Sequence, residues 1–295
     1  GDITLTNSGN SFFGATNLVA TLGDLSFAGS VTGNLSTSSA GTTSFGTTTL
    51  TGALTATSVG DITQTGAITT GAPSSITSST GDITLNNAGN SFFGATSLVA
   101  SLGDLGFAGS VTGNLSTSSA GTTSFGTTTL TGALTTTSVG DITQTGAITT
   151  GAPSTITSST GDIILDNAGN SFFGATNLVA SLGDLSFAGS VTGNLNTSSG
   201  GATSVGVTTL TGALTATSVG GITQTGAITT GAPSSITSTT GDITLDNAGN
   251  SFFGATNLMA TLGDLSFAGS VTGDLSTSSA GTTSFGVTTL TGALT

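Results

Sequence analysis

The chain has 295 residues with no Lys, Arg, His or Cys, and 13 acidic residues, all Asp, leave it a formal net charge of −13. That balance excludes binding to a phosphate backbone, which needs cationic side chains to displace counterions, and it removes salt bridges, disulfides and imidazole or thiol chemistry. At 35% hydrophobic residues with only 3 Pro, the chain can still bury a core, so its abundance of Gly, Ser and Thr does not imply disorder.

The opening stretch, Gly1 to Leu22, returns almost unaltered at Gly81, Gly161 and Gly241. A fixed internal period decides architecture before any local signal does. The chain therefore divides as a single array of repeats 1–80, 81–160, 161–240 and a partial 241–295. Gly1 opens a repeat and Thr295 falls within one, so the sequence is expected to be an excerpt of a longer array. It has no apolar run of the length, about 18 residues or more, that would span a bilayer.

Within the first copy, similar phrases begin at Gly1 (GDITLT), Gly23 (GDLSFA), Gly41 (GTTSFG) and Gly60 (GDITQT), giving four sub-repeats of unequal length: Gly1 to Leu22, Gly23 to Ala40, Gly41 to Val59 and Gly60 to Thr80. Each opens on alternation, as in Ile3 and Leu5 or Leu25 and Phe27, the period of a strand with one buried face. A second short segment follows (SFFG at Ser11, SVTG at Ser30, TLTG at Thr49, AITTG at Ala67), then a third (TNLVA at Thr16, NLSTS at Asn34, ALTAT at Ala53, SSITS at Ser74). Gly, Asn and Ser mark the joints, where tight turns cost least. No apolar spacing at the helical period occurs, so helix is disfavoured.

Three short strands per coil of about 20 residues, four coils per repeat, predict an all-β fold: a parallel β-helix, or β-solenoid. An up-and-down barrel is the competitor, but stacked near-identical phrases account more simply for the unequal sub-repeat lengths, since corners absorb length. One coil cannot bury enough surface to fold alone; stacking lets each strand satisfy its neighbours. About 15 such coils at about 4.8 Å would form a rod on the order of 70 Å long. Inside, Ile3, Leu25, Ile62 and Ile83 should stack, as should Val31, Leu50 and Ile68 on a second face and Leu35, Leu54 and Ile76 on a third. Leu5, Phe27 and Phe45 form a further ladder, interrupted by Gln64, whose amide must find partners. Gln144 and Gln224 recur at that place.

Only Asp is left to act as acid or base, and no group is present to activate a Ser or Thr nucleophile, so no catalytic residues and no enzyme are expected. Asp61, Asp82 and Asp104 open three successive coils and should face outward in a row about 5 Å apart. Asp141, Asp162 and Asp184 repeat the triplet, while Asp242 and Asp264 lack a third member because Gly221 replaces it. The row reads as a solvated acidic edge. Calcium is the one cofactor it would suit, since hard cations take carboxylate oxygens, although no EF-hand loop is present. Phe12 and Phe13 recur as Phe92–Phe93, Phe172–Phe173 and Phe252–Phe253. Aligning Gly14 with Gly33 places Phe12 level with inward Val31 and Phe13 level with outward Thr32. Phe13, Phe93, Phe173 and Phe253 are therefore candidate contact residues, the alternative being that both rings pack around a widened corner.

The phrases GDITL, GNSFFGA and GDLSFAG resemble the repeats of filamentous-haemagglutinin-like adhesins, bacterial proteins exported by two-partner secretion, across essentially the whole chain. The resemblance implies a right-handed parallel β-helix, a secreted or cell-surface rod, and a role in adhesion, aggregation or biofilm. The expected function is a stiff shaft whose partners are other copies of itself, end to end or side by side, or the surface of a host or neighbouring cell. The second class is a solenoid surface that binds ice or carbohydrate. Its outward rows would be Thr32, Thr51 and Thr69, interrupted by the Phe13 position, and Ser36, Thr55 and Thr77, meeting Val99.

Overall fold

A computed structural model describes residues 1–295. It is an all-β parallel solenoid of about 15 turns of about 19 residues, without helix. Two compact units, Gly1–Gly140 and Asp141–Thr295, divide the chain, and both are built by the same rules. With no helix present, no helix is long and apolar enough to cross a membrane.

The first repeat contains ten strands: β1 (Ile3–Leu5), β2 (Ser11–Phe13), β3 (Thr16–Ala20), β4 (Leu25–Thr32), β5 (Leu35–Ser39), β6 (Thr43–Leu50), β7 (Leu54–Ser58), β8 (Ile62–Gln64), β9 (Ile68–Thr70) and β10 (Ser74–Ser78). The second begins with β11 (Ile83–Leu85) and β12 (Ser91–Phe93). Three strand segments per coil are present, but they lie in two sheets. The first and second segments share one sheet, and the third stacks in the other. In the second and third coils the first two segments fuse into the eight-residue strands β4 and β6. Their pairing shifts register between Phe27 and Gly29, a bulge at which Gly29 holds φ 131°. Only glycine suits that bulge, because its conformation is left-handed and the backbone of Asn10 occupies the place of a Cβ.

Registers explain how the inward rows pack. Ile3 pairs with Leu25, Leu25 with Thr43, Thr43 with Ile62 and Ile62 with Ile83, which is the expected first row with a buried Thr inserted. Leu5, Phe27, Phe45 and Gln64 also stack as expected. Two rows differ from the expectation. Ile68 sits on Thr48, not on Leu50, and the row of Phe12, Val31 and Leu50 continues instead through Thr70 to Phe92. Ile76 likewise sits on Ala56, leaving Ser74 level with Leu54.

Both differences have one cause. The Thr70 hydroxyl donates to the Ala72 carbonyl at 3.4 Å, and Ser74 Oγ donates to the same carbonyl at 3.1 Å while accepting the Leu54 N–H at 3.1 Å. A hydroxyl satisfied by a turn can occupy an inward position without penalty, so the inward place need not be the apolar one.

The outward rows are corrected in the same way. Thr69 belongs to a row of Ser11, Ser30, Thr49, Thr69, Ser91 and Ser110, whereas Phe13 and Thr32 lie in the next row. On the other sheet, Ser36, Thr55, Ser75 and Ser97 form one row, and Thr57, Thr77 and Val99 another.

Candidate functional site

The Asp row lies at the corner that leads from the third segment of one coil into the first segment of the next. Each carboxylate turns along the stack and accepts a backbone N–H from the following coil. Asp61 Oδ1 takes the N–H of Asp82 at 2.9 Å, Asp82 that of Asp104 at 2.8 Å, and Asp104 that of Thr122 at 2.7 Å. In the second unit Asp141, Asp162 and Asp184 do the same for Asp162, Asp184 and Ala202 at 2.9, 2.8 and 2.7 Å, and Asp242 and Asp264 do so for Asp264 and Thr282 at 2.8 and 2.7 Å. The Asp main chain is in the ladder too: the carbonyls of Asp82 and Asp104 accept from Ile62 and Ile83 at 2.8 and 2.9 Å. Each side chain thus carries the hydrogen-bond ladder around a corner where strand pairing stops.

This geometry explains the Gly that stacks on each Asp corner: a Cβ on Gly81 or Gly121 would collide with the carboxylate of Asp61 or Asp104 in the coil below, and one on Gly103 with the Gly81 backbone and the Asp82 carboxylate. A second corner uses the same device with an amide. Asn34, Asn114 and Asn194 Oδ1 accept the N–H groups of Ala53, Ala133 and Ala213 at 2.9 Å, and in the fourth repeat Asp274 accepts that of Ala293 at 2.8 Å. Asn and Asp exchange there with nearly unchanged geometry, so the acceptor oxygen is what the corner requires.

At Asp264 the Thr282 backbone N–H, helped by the Thr282 hydroxyl, holds the carboxyl below its ordinary range, against a weaker opposing effect of desolvation. A solvent-open depression on the second unit is lined by Asp162, Asp166, Asp184, Ile164, Ser186 and Thr223, yet nowhere do three or more acidic side chains gather into a group that could hold a metal ion.

The paired phenylalanines divide their roles. Phe92, Phe172 and Phe252 are buried, and their rings meet Phe107, Phe187 and Phe267 at centroid distances of 6.1, 6.0 and 6.0 Å in tilted arrangements. Phe13 is 88% exposed, and Phe93, Phe173 and Phe253 are each 56% exposed. They stand beside the outward hydroxyl row, two positions along the strand from Ser11, Ser91, Ser171 and Ser251.

One set of residues was not singled out by sequence reasoning. Asn90, 1% exposed, closes the turn between β11 and β12. Its Nδ2 donates to Gln64 Oε1 at 2.8 Å and to the Leu85 and Ala108 carbonyls at 3.1 and 3.0 Å. Its Oδ1 accepts from Gln64 Nε2 and from the Ile68 N–H, both at 2.9 Å. Gln64 Nε2 also reaches the Gly66 carbonyl at 2.6 Å. The same pairing joins Gln144 to Asn170 and Gln224 to Asn250. The interrupting Gln of the apolar ladder is thereby satisfied. The signal that points to Asn90 in the sequence is an Asn recurring at the end of each NAGN or NSGN turn, at a constant interval after a Gln: Gln64 and Asn90, Gln144 and Asn170, Gln224 and Asn250.

No curated protein and no solved structure matches the chain. The family described as "Repeats of unknown function (DUF5649)" matches residues 32–99, 112–179 and 192–259, segments whose starts are spaced by the same interval as the internal repeat. With more than half of its length matched in three successive copies, the chain belongs to the DUF5649 repeat family.

Proposed function

We propose that this array is a structural shaft of an extracellular bacterial fibre or adhesin, a non-enzymatic spacer supporting adhesion, aggregation or biofilm. The observation that carries the reading is that the side chains with chemical potential recur in register and serve the stack itself: Asp and Asn oxygens bridge corners, and Gln and Asn amides bridge coils. A site for one substrate calls for a local arrangement unlike its neighbours, whereas a shaft calls for sameness. Reach is then set by copy number, as expected of a quasi-one-dimensional repeat protein. The resemblance to filamentous-haemagglutinin-like repeats supports the surface location. Immunogold electron microscopy of the source cells, together with an aggregation assay on cells deleted for the array, tests this: label on surface fibres and loss of aggregation are expected. Label confined to the cell interior would contradict it.

A second reading is favoured by the corrected outward rows. In the second unit Thr149, Ser171, Ser190, Thr209, Thr229, Ser251, Ser270 and Thr289 are in continuous register without an apolar or charged interruption. Such a lattice, with Phe173 and Phe253 beside it, suits a neutral, hydroxyl-rich surface, either ice or carbohydrate. Thermal hysteresis and co-sedimentation with insoluble neutral polysaccharide test it, and the absence of both would remove it.

A further inference from the structure

The Gln–Asn pair occupies a place where neither burial nor hydrophobicity calls for an amide. Gln64 stands in a row between Phe45 and Leu85, the latter one position beyond the Thr63–Thr84 pair, so a Leu would continue the ladder. The pair also sits at one kind of junction, where the fourth coil of a repeat meets the first coil of the next.

At that junction the other sheet is held by five-residue strands, Ser74–Ser78 against Thr96–Ala100, and the corner by the Asp61 bond to the Asp82 N–H. The sheet that carries the Gln–Asn pair, however, is held only by short strands. The strands that meet there, β8 with β11 and β9 with β12, have three residues each. The second and third coils instead meet along eight-residue strands pinned by the bulge at Gly29. A slip of two residues keeps inward side chains inward and is not opposed by the apolar pattern. It would, however, separate Asn90 Oδ1 from the Ile68 N–H and both ends of the Gln64 amide from Asn90, leaving buried polar groups unpaired.

We infer that this amide pair is a register lock between one repeat and the next, with the Gln supplying specificity of stacking in place of the packing an apolar side chain would give. The same rule applies to any further copy of the repeat that adds to such an edge, from this chain or from a second one: its Gln-bearing coil must face an Asn-bearing coil. Gln144→Leu isolates the role of the Gln. Asn170 keeps its bonds to the Leu165 and Ala188 carbonyls at 3.1 Å, so its amide is not orphaned. Its bond to the Ile148 N–H at 2.9 Å is the part of the lock that remains, which makes the expected slip partial.

The experiment uses two cysteine pairs in the whole chain. Thr143 and Ile164 are register partners, at the strand spacing of about 4.8 Å that a disulfide can bridge. Thr143 and Asp166 are offset by two residues, about 8 Å apart, which a disulfide cannot bridge without a slip. Mild oxidation of the parent should cross-link T143C/I164C and leave T143C/D166C reduced. With Gln144→Leu added, the T143C/D166C cross-link should appear, while circular dichroism and the thermal midpoint show a fold at least as stable. An unchanged pattern, with cross-linking still exclusive to T143C/I164C, would overturn the inference. So would loss of the β-sheet signal on Gln144→Leu, because an apolar row should accept Leu.

Discussion

Copy-to-copy exchanges inside the core offer a direct test of how the ladder is held. Thr117 and Thr136 are register partners on adjacent coils, 2% and 0% exposed, and their hydroxyls are hydrogen-bonded at 3.0 Å. The matching positions pair Thr37 with Ala56 and Thr197 with Ala216, and there the Thr37 and Thr197 hydroxyls are buried without a partner. Thr→Val conserves shape and removes only the hydroxyl, so Thr117→Val or Thr136→Val alone leaves one buried hydroxyl unpaired, a loss of about 1–3 kcal/mol. The double variant removes both partners and should lie near the parent, giving a coupling energy of similar size. Thr37→Val, which deletes a hydroxyl already orphaned, should stabilise by about 1–3 kcal/mol. Because long repeat arrays depart from two-state unfolding, local native-state hydrogen exchange in these coils should accompany urea denaturation. Additive losses in the Thr117 and Thr136 cycle, or destabilisation by Thr37→Val, would refute the reasoning.

Other perturbations test the corners and the rings. Gly221 interrupts the Asp row, has no left-handed φ, and its added Cβ would lie 3.2 Å from the nearest atom, the Asp242 carbonyl oxygen. Gly221→Asp should therefore raise stability by about 1 kcal/mol through a new bond to the Asp242 N–H and a less flexible unfolded chain, as read from the urea midpoint. Asp82→Asn should preserve the corner and Asp82→Ala should open it, seen as faster exchange of the Asp104 amide in the Ala variant alone. Phe92→Ala should cost about 3–5 kcal/mol as a buried ring is lost, whereas Phe93→Ser should leave the denaturation midpoint nearly unchanged and lower binding of hydrophobic dye. Asp264 titrates below the ordinary aspartate value of about 3.9. Its lowered folded-state pKa means that its stabilising contribution is present above the ordinary value and is lost as pH falls through the folded one; carboxyl-carbon NMR should show an acid-shifted midpoint, and an alkaline shift would contradict this.

Much of the fold was legible because two periods coincide in the sequence. Alternation in GDITL and GDLSF gives inward strands, and the long repeat period forces those strands to stack on their own likenesses. Register within a coil was less legible where polar residues face inward. Thr70 and Ser74 fill core positions because turn carbonyls satisfy their hydroxyls, so the apolar residues Ile68 and Ile76 marked the wrong rows. Alignment with Thr32 sets the Phe13-type ring on the outward side but leaves open that both rings pack around a widened corner; the structure exposes the Phe13-type ring and buries its neighbour Phe92. The Asp residues read from the sequence as an outward row, but the bond each makes to the next coil depends on backbone direction, which composition does not encode. Asn90 was hidden for a related reason: its partner, Gln64, lies in the preceding coil, and only stacking brings them within 2.9 Å.

The measurement that bears most directly on the central claim is the length of the purified particle as a function of copy number, by small-angle scattering or electron microscopy of arrays with added repeats. A shaft of stacked coils predicts a constant cross-section and an increase of about 19 Å per added repeat, four strand spacings of about 4.8 Å. A radius that grows as a compact globule does, with no linear gain in length, would contradict it.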